Sequence, residues 1–147
     1  MRYMTLALAL TMAIAMPFQA QAWEEPARGT ALRADLMDAL RPHAEFAFGA
    51  PVVFVVQELR VEGDVAFGML TPVRPGGSAI GFDDLNPRMR EFEDRDFWGG
   101  ADMQALFEKS GRTWVATHQT YGATDVWWAD PMFCTKWHPV ILEYCSN

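Results

Sequence analysis

Val52–Val73, VVFVVQELRVEGDVAFGMLTPV, is the stretch on which the fold turns. Val52–Glu62 is rich in β-branched residues. Its second half alternates Gln57, Leu59 and Val61 with Glu58, Arg60 and Glu62, the two-residue period of a strand. Gly63-Asp64 is a turn signal, although Glu62-Gly63-Asp64-Val65 lacks the ideal Asn-Gly form. Val65–Val73 then returns as a second strand, so the whole stretch predicts an antiparallel hairpin. The pattern repeats downstream, where Asp102–Lys109 and Thr113–Tyr121 flank Ser110-Gly111-Arg112. On the later strand, simple alternation puts Trp114, Ala116 and His118 on one face and Val115, Thr117 and Gln119 on the other.

Ahead of the first hairpin, Thr30 is placed to cap a helix over Ala31–Arg41. Leu32, Leu36 and Leu40 recur every fourth residue and form an apolar stripe, widened by Met37. Arg33, Asp35 and Asp38 lie on its other sides, and Pro42 is expected to stop it. One helix followed by hairpins predicts an α+β fold. The N-terminal amphipathic helix should pack on a curved antiparallel sheet of about four strands. Residues 78–101, between the hairpins, are irregular, with a short helix expected around Pro87–Phe92. Loops of this length are commonly functional or mobile. Gly122–Asn147 reads as irregular and aromatic, with a short strand at Val140–Tyr144.

The chain begins with export features. Arg2 precedes the uncharged apolar run Thr5–Met16, Pro17 breaks it, and Ala20-Gln21-Ala22 offers small residues at a cleavage site. Twelve apolar residues suit a signal peptide and are short for a membrane-spanning anchor. Residues 1–22 are therefore expected to be a signal peptide and 23–147 a single domain of ordinary size. No cysteine lies near the junction, which argues against a lipid anchor. Losing Arg2 would take the net charge from −7 to −8. An acidic chain with no basic cluster argues against nucleic acid and against anionic membrane surfaces. The expected location is periplasmic or secreted, with no stable membrane insertion after cleavage.

Cys134 and Cys145 are the only cysteines. In an exported chain such a pair predicts one disulfide closing the C-terminal segment. A redox or metal pair is the alternative, but the spacing is not C-x-x-C and no second ligand pair accompanies it. His43, His118 and His138 lie in separate segments with no metal-binding spacing, so no metal and no cofactor is expected. The acidic insert at 83–98 lacks a calcium-loop pattern and contains arginines that can neutralise it.

The candidate catalytic pair is His118 with Asp125 as its orienter, set against the plainer reading of a solvated histidine on a sheet face. Five of the six tryptophans fall between Trp98 and Trp137, which makes Trp127, Trp128 and Trp137 candidate binding residues. Trp98, Trp114 and Trp137 are equally suited to the core. No nucleophile elbow, phosphate loop or dinucleotide fingerprint occurs.

ADLMDALRP (34–42), VVFVVQELRVEGDVAF (52–67) and GRTWVATHQTYGATDV (111–126) resemble small exported bacterial proteins of unknown function. The order helix, hairpin, insert, hairpin is similar to the cystatin-like and nuclear-transport-factor-like architectures. That resemblance implies the fold and transfers no catalytic residue. The cystatin inhibitory Gln-Val-Val-Ala-Gly pattern is absent, so protease inhibition is not implied. Three functional readings follow. A binding module for an envelope protein or small ligand is favoured. The others are a small pocket enzyme using His118 and Asp125, and a structural envelope-maintenance protein.

Overall fold

The computed structural model describes residues 23–145; the expected signal segment, 1–22, and residues 146 and 147 lie outside the described residues. The fold is α+β, with one long helix and a four-stranded antiparallel sheet that does not close.

Helix α1 spans Ala31–Phe48. Thr30 caps it as expected, its Oγ1 accepting the Arg33 N–H at 3.3 Å. The helix does not stop at Pro42 but runs on for a further turn and a half, which corrects the expected end. An interior proline costs about 3 kcal/mol through its missing N–H and its steric clash. Here the spacing Leu36, Leu40, Ala44, Ala47 extends the apolar stripe past the proline, and all four side chains are buried, as is Phe48. Burial of the added turn offsets the local cost. Gly49, with φ of 77°, closes the helix by donating its N–H to Glu45 O at 2.8 Å.

The strands are β1 (Val53–Glu62), β2 (Val65–Val73), β3 (Met103–Ser110) and β4 (Thr113–Tyr121), in spatial order β1-β2-β3-β4. Leu59, Val61, Ala66, Leu70, Ala105, Phe107, Trp114 and Ala116 form one core with α1. Phe67 and Leu106 point to the opposite face. A second helix covers them, α3 over Pro131–Ile141 (α2 is the short turn Pro87–Arg90 in the insert). The molecule therefore has helices on both faces of the sheet.

Helix α3 replaces the irregular segment and the strand expected at Val140–Tyr144; Leu142–Tyr144 is a 3₁₀ turn. Asp130 caps α3 by accepting the Met132 N–H at 2.9 Å, and Pro131 occupies the first turn, where its missing N–H costs nothing. Phe133, Trp137, Val140 and Ile141 recur at helical spacing and are buried. Trp137 Nε1 donates to Phe107 O at 2.8 Å and ties α3 to the sheet. The disulfide Cys134–Cys145 is present and fastens the tail to α3.

Two β-bulges decide which side chains face which helix. In β1 the pairing steps from Val56–Leu70 to Glu58–Met69, leaving Gln57 as the extra residue. In β4 it steps from Ala116–Phe107 to His118–Leu106, leaving Thr117 extra. Each inserted residue reverses the alternation that follows. Trp114 and Ala116 thus face α1, whereas His118 lies on the α3 face with Leu106. The expected grouping of Trp114, Ala116 and His118 on one face is corrected accordingly.

Arg60 anchors the two sides of the second core. Its side chain is buried, donates to Val140 O at 3.0 Å, and pairs with Glu58 and Glu143. Burial opposes its charge, but hydrogen bonds and charge from Glu143 and Glu58 outweigh that and hold its pKa above the ordinary arginine value. Directly after β2, Arg74 donates to Phe48 O at 2.7 Å and to Asp84 at 3.1 Å, fastening the insert to the end of α1. The acidic residues there are partly neutralised as expected, Asp83 by Arg95.

Candidate functional site

β4 is the last strand of the sheet, so one side of its backbone has no strand partner. A cleft of about 640 Å³ runs along it. Its floor is the five consecutive residues Ala116, Thr117, His118, Gln119 and Thr120. Successive residues of a strand point to opposite faces. Even with the bulge at Thr117, Ala116 and Gln119 lie on the α1 side and His118 on the α3 side, so a hollow lined by all five lies along the free edge of the strand. Trp127, Phe133 and Asp130 form the wall on the α3 side, Asp125 and Ala123 the end, and His43 of α1 the opposite wall.

A second hollow of about 410 Å³ shares His43, Gln119 and Thr120 with the first and continues toward Tyr121, Phe46 and Met89. Together they make a groove that follows β4 between the two helical layers. At its far end Gly99 passes so close to Gly122 that a Cβ there would lie 2.0 Å from Gly122 O, so only glycine permits this approach of the insert to the end of β4. Tyr121 donates to Glu93 Oε1 at 3.2 Å; burial first, then the Glu93 charge, raises the phenol above its ordinary pKa.

The residues singled out from sequence are distributed unevenly. His118 and Asp125 both line the cleft, but no hydrogen bond joins them among the described residues. The His118 ring instead packs edge-on against Phe133 and Trp137, with centroids at 5.0 and 5.3 Å. Of Trp127, Trp128 and Trp137, only Trp127 reaches the cleft. Trp128 is buried against Phe67 and Trp137 is buried beneath His118. Trp114 is buried in the core with α1, and Trp98 packs at its margin, as the core alternative anticipated.

Two contributors escaped sequence reasoning. His43 lies beyond Pro42, in the part of α1 that the proline hid, and its Nδ1 is 3.3 Å from Gln119 Nε2. Asp130 is the cap of the unexpected α3; the Asp-Pro dipeptide at 130–131 was its available signal.

The groove has a one-sided charge. Asp125 and Asp130 stand on its rim, and no lysine or arginine lines either hollow. Neither aspartate belongs to an ion pair among the described residues, whereas Glu108 pairs with Lys136 at 2.7 Å and Asp84 with Arg74 at 3.1 Å. Among the described residues no cluster of three or more His, Cys, Asp or Glu side chains is arranged to hold a metal ion. No described helix is long and apolar enough to cross a membrane.

Comparison with known proteins gives no match to a family model, a curated protein or a solved structure.

Proposed function

We propose that this chain is an exported binding protein whose recognition site is the cleft along β4. The observation that carries this reading is the floor formed by Ala116–Thr120: a hollow opening on a strand edge, walled by Trp127 and Phe133 and rimmed by polar groups. An aromatic wall with few polar groups around it is how small sites combine apolar burial with orientation. Acid–base catalysis has less support. His118 is held by aromatic rings without a carboxylate orienter, and both cysteines are bridged and so unavailable as nucleophiles. The disulfide and the export features of residues 1–22 fit an oxidising compartment, periplasmic or extracellular. The partner is an envelope protein or a small ligand.

Native mass spectrometry of the protein purified from its own cell envelope tests this. The expected result is a co-purifying mass that the Trp127→Ala variant loses while remaining folded by circular dichroism. A bare chain, or a bound mass retained in full by Trp127→Ala, would remove the cleft from consideration. The denatured mass in the same experiment tests cleavage before Trp23.

A further inference from the structure

We infer that the occupant of the cleft is an extended, basic polypeptide segment that joins the sheet as a fifth strand along β4. The inference rests on the cleft being the binding site and names what binds there.

Among the described residues, no backbone hydrogen bond joins Thr113–Tyr121 to any segment other than β3. The opposite edge of the sheet is partly occupied: Glu24 and Val61 exchange two backbone bonds of 2.9 Å across the outer side of β1. Exposed edges are usually guarded by lysine, arginine or proline. Thr113–Tyr121 contains none of these, and its guard is the bulge at Thr117. Beyond the bulge, His118–Tyr121 pairs regularly with Met103–Leu106, which leaves an ordered template on its outer side. The two hollows together follow Ala116–Tyr121. At about 3.3 Å per residue that accommodates roughly six residues of extended chain.

The walls set the side-chain pattern. On the α3 side an incoming strand would meet Trp127, Asp125 and Asp130, which suit lysine or arginine through charge and cation–π attraction. On the α1 side it would meet Phe46 and Met89, which suit apolar residues. Side chains of a strand alternate between faces, so a segment alternating basic and apolar residues satisfies both walls at once. A second copy of this chain fits less well. Edge-to-edge pairing of two β4 strands would bring two sets of Asp125 and Asp130 together on a chain that already carries a net charge of −7.

The test is calorimetric titration of the purified protein with a capped hexapeptide alternating lysine and valine, followed by amide hydrogen exchange. Binding with slowed exchange confined to Thr117–Tyr121 is expected. Methylating alternate backbone nitrogens of the peptide, or replacing its lysines with glutamate, should each weaken binding by about tenfold or more. No binding of the lysine peptide, equal binding of the methylated peptide, or equal binding of the glutamate peptide would overturn strand addition by a basic segment. So would dimerisation of the protein with the same protected residues. If the methylated peptide binds equally well but Trp127→Ala abolishes that binding, the cleft stands as the site and only the strand mode fails. Peptide binding indifferent to both Trp127→Ala and Asp125→Asn would remove the cleft as well.

Discussion

Replacing both Cys134 and Cys145 with alanine should cost about 3 kcal/mol of stability. The bridge closes a twelve-residue loop, CTKWHPVILEYC. In the chain-entropy treatment a loop of that length removes roughly 9–10 cal/mol/K from the unfolded state, about 3 kcal/mol at room temperature. The folded state loses little by comparison. Phe133, Trp137, Val140 and Ile141 keep α3 on the sheet, and none of them is altered. Asp130 still caps the helix. The melting temperature should fall by roughly 10 °C for a domain of this size. Urea unfolding followed by tryptophan fluorescence measures the difference, and amide exchange of α3 reports whether the helix stays docked. A loss below about 1 kcal/mol would mean that the bridge hardly restricts the unfolded chain. A loss above about 5 kcal/mol, with exchange accelerated throughout α3, would mean that the helix depends on the bridge for docking. Either result would refute the division of labour between disulfide and core.

Three further outcomes follow from the same structure. Arg60→Met should lose about 2–3 kcal/mol in denaturant titration, because Val140 O and the Glu58 and Glu143 carboxylates lose a buried donor; Glu143→Gln, at a half-exposed position, should cost under about 1 kcal/mol. Trp137→Phe keeps most of the ring packing but removes the buried Nε1 donor to Phe107 O, and about 1–2 kcal/mol should be lost with little change in secondary structure by circular dichroism. Asp84 has its pKa lowered, first by the Gly81 N–H and then by Arg74, so it contributes stability above the ordinary carboxylate pKa and loses it as the pH falls through its folded-state value. Asp84→Asn should therefore be less stable than the parent at neutral pH, by under about 1 kcal/mol given its exposure to solvent. That gap should close in stability measurements below about pH 4, and a gap constant across this range would refute the assignment.

Much of the scaffold was legible in local sequence. The hairpin at 52–73 declared itself through β-branched residues and a Gly-Asp turn, and its strands fall within a residue of the expected bounds. The second hairpin did likewise. Thr30 marked the start of α1, and two cysteines allowed only one pairing. The site was less legible. His118 and Asp125 line one cleft without a hydrogen bond between them, and His118 occupies the face opposite to the expected one because one inserted residue, Thr117, reverses the count. His43 was hidden because Pro42, expected to stop the helix, sits inside α1, and Asp130 because it caps α3, a helix in a segment read as irregular.

By itself the sequence determined which segments pair and where the chain turns, because two-residue periodicity, glycine turns and helix caps act between near neighbours. Only the tertiary structure decided how far each helix runs, which face each strand residue occupies beyond a bulge, and that a groove opens along β4. A proline is tolerated in a helix when distant side chains bury the turn beyond it, and a bulge is a mismatch in length between two strands. Both are settled by pairing and packing between segments far apart in the chain, and no local pattern carries that information.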